Sequence, residues 1–384
     1  MDQKLQINKR FKYNSIGSFI AFCITILWTK IGVVLIDDNS LEFIFNLFIS
    51  ASILSTILHF GGHFSIFQNN ILTRTQLRVV LVFFLLAVLS SAFINSSSDF
   101  LSFPLAIIFI LKLYAESVYL ISQKYKRFIF SMTLEPLLRF LIFIDIVKEV
   151  WVYGYLILGA FYLFHLINFY NGYDRSKVVI NKYYLGLWVS ELLGIFLVKG
   201  DQYLGFEKLE NTESLLLFML ISYLSIPLKF VSLLGRAQGF FHLENKSNNK
   251  LFKNLIFTTL LFSGVFSILS FLFWENIFRL LFDFKWAILG SNYKGYFFLI
   301  PILSLIQVLD VKVTILYPKL TITSKVLLVL LKILIILLIV DDLDGFLKVY
   351  TCLLLLQIIF YFVILKSKEL MIILNNRTKN YGNR

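Results

Sequence analysis

The chain has 384 residues, 58% of them hydrophobic and only 15% charged, with a mean hydropathy of +0.80. One water-soluble core of this size cannot hide so much apolar surface, so lipid is the expected solvent for most side chains. The two cysteines, Cys23 and Cys352, both fall in apolar runs, which excludes a disulfide framework and a cysteine metal centre. The net charge of +13 sits largely in short loops between apolar segments, so membrane topology explains it and nucleic acid is not an expected partner.

A bilayer core about 30 Å thick needs about 20 helical residues to cross it. Spans are predicted near 15–36, 41–66, 77–96, 100–122, 127–148, 151–170, 183–206, 213–235, 252–274, 295–317, 321–340 and 344–365. The first is too long for the apolar region of a signal peptide and lacks a small-residue cleavage site. Short polar breaks, such as Asp37-Asp38-Asn39-Ser40, Ser96-Ser97-Ser98-Asp99 and Asp341-Asp342, separate neighbours. The fold class is therefore an all-α polytopic membrane protein of about twelve transmembrane helices. Its expected organisation is a cytoplasmic N-tail 1–14, a six-helix bundle 15–170, a cytoplasmic linker 171–182, a second six-helix bundle 183–365 and a cytoplasmic C-tail 366–384.

Orientation follows from Lys and Arg outside the spans. Nineteen lie in the tails and even-numbered loops, against four on the other side (Lys208, Arg279, Lys285 and Lys294), which places both ends in the cytoplasm. The outer loops are short and acidic, and in the longest, 275–294, Trp286 and the adjoining Trp274 suit the membrane interface. No phosphate-binding glycine loop appears, so energy is expected from a gradient or from the substrate.

The two halves resemble each other. At an offset of 170, residues 46–60 match residues 216–230 at seven of fifteen positions, including Ser52 with Ser222 and Ser55 with Ser225. At an offset of 169, Gly17 matches Gly186 and Lys30 matches Lys199. With six spans in each half, this predicts a parallel repeat about an axis along the membrane normal, an architecture suited to rocking around a central cavity.

A charge at the bilayer centre costs at least ~2.5–3.5 kcal/mol, so polar residues at depth are the functional candidates. Ser222, Ser225, Lys229, Ser232 and Arg236 form one helix face in span 8, and Ser52, Ser55 and His59 form the equivalent stripe in span 2. The serines alone have an ordinary alternative in interhelical hydrogen bonding; Lys229 and His59 on the same stripes point to a cavity lining. Lys30 and Lys199 lie at matching depths, near enough to the outer face for snorkelling to be the alternative. His59 and His63 have metal-pair spacing without a nearby carboxylate or cysteine, so no metal is expected, and no cofactor either. Lys112 with Glu116 and Glu135 with Arg139 are spaced i, i+4 and read as structural pairs; Asp310 and Lys312 share a span without facing each other; Lys332 has no acidic residue within a turn. Glu191, Asp201 and Asp310 are the candidates for ion coupling. The set Lys30, His59, Lys199, Lys229 and Arg236 predicts a positive cavity for an anionic, phosphate-bearing ligand.

The stretches Ser15-Ile16-Gly17-Ser18 to Phe60-Gly61-Gly62-His63 and Val198-Lys199-Gly200-Asp201-Gln202-Tyr203-Leu204-Gly205 resemble the first two helices and the seventh helix of polysaccharide (O-antigen) flippases of the multidrug/oligosaccharidyl-lipid/polysaccharide exporter superfamily. The resemblance implies a transporter, not an enzyme, in the bacterial inner membrane. It would move an undecaprenyl-pyrophosphate-linked oligosaccharide, an O-antigen or capsule repeat unit, by alternating access, with helices 1, 2, 7 and 8 lining the cavity. The implied partners are the lipid-linked oligosaccharide, membrane lipids, a polysaccharide polymerase and a chain-length regulator. Two rivals stand beside it. An O-antigen polymerase, or other multi-span glycan-assembly enzyme, usually carries a larger outer loop; a cation-coupled drug antiporter of the same superfamily calls for an acidic cavity.

The topology is directly testable. A fluorescent protein fused at the C-terminus should fold and fluoresce, and alkaline phosphatase fused after Asp99 should be active; the reverse pattern would invert the orientation.

Overall fold

Long apolar runs in lipid leave the backbone no water to bond to, so each run closes its own i→i−4 hydrogen bonds as a helix. The computed structural model describes residues 2–59, 66, 72–91, 98–142, 148–170, 182–228 and 249–381, and among them every extended element is helical. The helices are α1 (Asp2–Leu35), α2 (Asp38–Leu58), α3 (Arg74–Ser91), α4 (Ser98–Ile121), α5 (Tyr125–Ile142), α6 (Lys148–Tyr170), α7 (Lys182–Val198), α8 (Gly200–Lys208), α9 (Asn211–Leu224), α10 (Asn249–Leu272), α11 (Trp274–Leu281), α12 (Phe284–Leu289), α13 (Leu299–Leu316), α14 (Pro318–Ile339) and α15 (Leu343–Tyr381), with a 3₁₀ segment Gly290–Phe298 before α13.

Each of the twelve predicted spans has a helical counterpart, and the chain is a multi-pass membrane protein. Among the described residues nine helices are long and apolar enough to cross a bilayer, and the apolar part of α1, Phe19–Leu35, is shorter. The other two spans fall outside the nine for physical reasons. Helix α5 carries Lys126, Arg127, Glu135 and Arg139, and span 7 breaks after Val198 into α7 and α8. At both ends helix continues into the expected tails, from Asp2 in α1 and to Tyr381 in α15. The turn into α2 is capped by Asp37, whose Oδ1 accepts from the Ser40 N–H at 2.9 Å and whose carboxyl that bond holds below its ordinary range.

The described chain forms two compact units, one of Met1–Ile221 with Phe273–Lys294, the other of Ser222–Leu272 with Gly295–Arg384. In the first, α4 is the central helix and packs on α2, α3, α5 and α6. Its span Leu101–Ile121 is 67% buried, against 22% for α3 on the lipid side. Leu105, Ala106, Ile107, Leu111 and Ala115 are its innermost side chains. Helix α1 lies against α5, close enough that a Cβ at Gly17 would come within 2.8 Å of the Met132 sulfur.

Among the described residues, the charges between α4 and α5 form a network. Glu135 of α5 accepts from Arg139 Nε at 2.7 Å and Nη2 at 3.2 Å, from Lys112 Nζ of α4 at 3.2 Å and from the Tyr155 hydroxyl of α6 at 3.4 Å. The Arg139 guanidinium lies 4.5 Å from the Phe48 ring centroid and 5.4 Å from that of Trp28, so the network also reaches α1 and α2. Lys112 in turn approaches Glu116 at 4.0 Å. The two pairs expected from i, i+4 spacing are both present, and Lys112 joins them across helices.

In the second unit α10 has inverted polarity. Thr259, Ser263, Ser267 and Ser270 are buried while Phe257, Leu261, Val265, Ile268 and Leu272 face outward. Ser267 donates to the Phe297 carbonyl at 2.9 Å, and the Ser270 hydroxyl shares a hydrogen bond with Tyr223 at 2.7 Å. Small hydroxyl residues allow close approach where lipid gives no hydrophobic push. Asp310 and Lys312 of α13 do face apart. Asp310 meets Lys325 of α14 at 2.8 Å and accepts from the Tyr361 hydroxyl of α15 at 2.5 Å, while Lys312 sits 3.7 Å over the Phe252 ring. Lys332 lies 5.8 Å from the centre of the Tyr350 ring.

Removing one partner of a buried ion pair leaves the other charge stranded, at a cost of about 3–5 kcal/mol. Glu135→Ala should therefore lower the thermal unfolding midpoint in detergent sharply, whereas Lys348→Ala, on the exposed Asp344 pair, should leave it nearly unchanged; equal midpoints would show that the network carries no stability.

Candidate functional site

Of the residues predicted to line a site on helices 1, 2, 7 and 8, Lys30, Ser52, Ser55, His59, Glu191, Lys199 and Asp201 fall in the first unit, and Ser222 and Ser225 in the second. At its start α2 runs beside α9. Asn211 donates to the Asn39 side chain at 2.6 Å, Ser214 to Glu42 at 3.3 Å, and one turn further Phe45 stacks on Phe218 with centroids 3.9 Å apart and planes 15° apart. These rungs pair residue i with i+172 or i+173, close to the sequence repeat of 170. They run two or three residues past the sequence offset, so they bring the matching stretches of spans 2 and 8 alongside each other without pairing mate to mate.

At its other end α2 meets α4 and α7. Trp188 donates its indole N–H to the Thr56 carbonyl at 2.7 Å, and one turn on, His59 Nε2 lies 3.4 Å from Glu191 Oε2. The Tyr114 hydroxyl donates to the His59 carbonyl at 3.2 Å and fixes the end of the helix. His59 is buried, while the Glu191 side chain is 39% exposed. The pair joins the end of α2 to α7 through two polar side chains.

The remaining predicted residues are distributed as follows. Lys30, half-buried on α1, donates to the Arg279 carbonyl at 2.8 Å. Lys199 is half-buried at the break between α7 and α8; its N–H still reaches the Ile195 carbonyl at 2.6 Å, and its own carbonyl accepts from the Tyr203 N–H at 3.1 Å. The repeat-matched lysines thus differ in backbone, since α1 runs unbroken through Lys30. Asp201 is fully buried in the first turn of α8, where the helix dipole favours a carboxylate. Ser52, Ser55 and Ser225 donate to the Phe48, Ser52 and Ser222 carbonyls at 2.7, 2.8 and 2.7 Å, the back-bonding usual for hydroxyls in apolar helices. Ser222 is half-buried. Asp310 belongs to the second unit and is engaged by Lys325 and Tyr361. Lys229, Ser232 and Arg236, with His63, lie outside the described residues. Among the described residues no three His, Cys, Asp or Glu side chains gather as metal ligands.

No family model matches the chain, and no curated protein matches its sequence. A solved structure does match. The lipid II flippase MurJ, in an inward closed conformation, superposes with a TM-score of 0.60 at 14% identity, over 92% of this chain and 87% of that one. The chain has the fold of a lipid II flippase. The likeness to MurJ takes in nearly the whole length.

Sequence reasoning named His59 and Glu191 separately and did not join them, because one lies on span 2 and the other on span 7. It also passed over Arg139, which is stacked beneath Phe48 and Trp28 of the first two spans; its spacing to Glu135 marked it as structural, and its reach towards α1 and α2 has no local signature.

Because Glu191 is partly exposed, its pairing with His59 should be modest. A double-mutant cycle with His59→Ala and Glu191→Ala, read by thermal unfolding in detergent, should give a coupling of about 1 kcal/mol or less. A coupling several times larger would place the pair in a sealed interior.

Proposed function

We propose that this protein is a transporter of the multidrug/oligosaccharidyl-lipid/polysaccharide exporter superfamily that flips an undecaprenyl-pyrophosphate-linked oligosaccharide across the bacterial inner membrane. The cargo is an O-antigen or capsule repeat unit. The observation that carries this reading is the likeness of fold to a lipid II flippase over 92% of the chain, in a sequence with a net charge of +13. The likeness supplies a fold used on a lipid-linked substrate; the excess of cations fits a pyrophosphate. Both termini are cytoplasmic, and the bundles 15–170 and 183–365 are the parts that move in alternating access.

Lys30, His59, Lys199, Lys229 and Arg236 receive the pyrophosphate, and Ser52, Ser55, Ser222, Ser225 and Ser232 line the path for the sugar hydroxyls. The lipid tail stays in the membrane. Of the carboxylates considered for ion coupling, Glu191 is preferred over Asp201 and Asp310, because it is partly exposed and its Oε2 lies 3.4 Å from the buried His59. The proposed working partners are a polysaccharide polymerase and a chain-length regulator.

Deletion of the gene should cause lipid-linked repeat units to accumulate on the inner leaflet, with loss of surface polysaccharide; normal surface polysaccharide in the deletion strain would defeat the proposal. In the complemented strain, Lys229→Ala should impair export at unchanged protein level, and wild-type export would remove Lys229 from the site.

A further inference from the structure

Residues 273–294 are flanked by α10 and α13, which belong to one compact unit, yet they belong to the other. Within that unit they are fastened at several points. Lys30 of α1 donates to the Arg279 carbonyl at 2.8 Å, and Lys285 Nζ lies 2.7 Å from Asp38 Oδ2 in the first turn of α2. Lys285 also sits 4.7 Å over the Trp286 ring. The underside is aromatic. Trp274 stacks on Phe278 at 3.9 Å and donates its indole N–H to the Ala287 carbonyl at 3.1 Å.

Trp274 and Trp286, assigned to the membrane interface from sequence, are instead buried in the unit at 6% and 2% exposure, while Leu280 and Ile288 turn outward at 74% and 56%. At Gly290 a Cβ would come within 2.6 Å of the Trp274 ring, which packs the segment closely on itself, and 3.5 Å from Leu216 of α9, an ordinary contact with that helix. It therefore rests on α1, α2 and α9, next to the rungs Asn39–Asn211 and Glu42–Ser214.

The two sets of contacts differ in kind. The aromatic packing is internal to the segment or buried beneath it. The ion pair that ties the segment to α2 is half exposed, at 50% for Lys285 and 38% for Asp38, and pairs of that kind shift an equilibrium by only about two- to five-fold. The half-exposed polar ties are thus the weakest of the contacts that hold the segment on its seat.

We propose that residues 273–294 form an outer lid over the ends of α1, α2 and α9, latched by Lys285 to Asp38 and by Lys30 to the Arg279 carbonyl, and that its release opens the outer end of the transport path. What passes beneath the lid rests on the flippase reading; the motion of the lid does not.

The test uses the full-length protein in proteoliposomes, with Cys23 and Cys352 replaced by Ser and Ser214→Cys as reporter. Ser214 is 2% exposed beside the latch, so a membrane-impermeant maleimide should label it slowly. Lys285→Glu sets two like charges at the latch and should raise the labelling rate by about two- to five-fold. The reversed pair, Asp38→Lys with Lys285→Glu, should bring the rate back. Equal rates in all three proteins, or a raised rate that the reversed pair does not restore, would overturn the lid. Separately, Asp38→Cys with Lys285→Cys, bridged by a short bifunctional thiol reagent in cells, should stop export of lipid-linked repeat units until the bridge is reduced. Labelling that behaves as expected with no lipid-linked substrate exported by any variant leaves the lid standing and removes the flippase reading; full export with the bridge in place removes the gating role.

Discussion

At membrane depth a charge persists only beside its opposite, and Glu135 shows how this protein meets that constraint. One carboxylate takes a guanidinium from its own helix, an ammonium from α4 and a hydroxyl from α6. The guanidinium then spends its remaining face on the rings of Phe48 and Trp28. The lipid around the unit offers no solvation for any of these groups, so their satisfaction fixes how α1, α2, α4, α5 and α6 sit together. The second unit solves the same problem with one aspartate, where Asp310 holds Lys325 and is bonded in turn by Tyr361.

On that frame α2 serves as a hub. Its first turns face α9 through an amide pair, a serine–carboxylate bond and a ring stack, and its last turn is held by Tyr114, Trp188 and Glu191. The two ends differ in chemistry. The first is neutral or screened, and the last sets a buried histidine against a partly exposed carboxylate.

Much of this fold was legible in the residues because membrane spans are written in long local runs. Apolar stretches bounded by Asp37-Asp38 or Asp341-Asp342 marked helices that the structure contains. Same-helix pairs were legible for the same reason, since Glu135 and Arg139 are neighbours by spacing alone. Partners on different helices were not. Lys112 with Glu135, Lys325 with Asp310, and His59 with Glu191 are each at least 15 residues apart, and nothing in the spacing of either helix announces the other. The break at Lys199 coincides with the polar cluster Lys199-Gly200-Asp201-Gln202, which lies inside the predicted span 183–206. The tryptophans of the outer segment misled, because an indole suits both an interface and an aromatic core, and only packing against Phe278 and Gly290 distinguishes them.

The inverted polarity of α10 bears on why a fold can persist while its sequence drifts. On the face lined by Thr259, Ser263, Ser267 and Ser270, an added methylene would push a neighbouring backbone away and cost close contacts that lipid does not replace. On the opposite face, Phe, Leu, Ile and Val are interchangeable so long as they stay oily. A chain that spends most of its residues on the permissive side can exchange nearly all of them and keep its outline, which is the relation seen here: shared architecture at 14% identity.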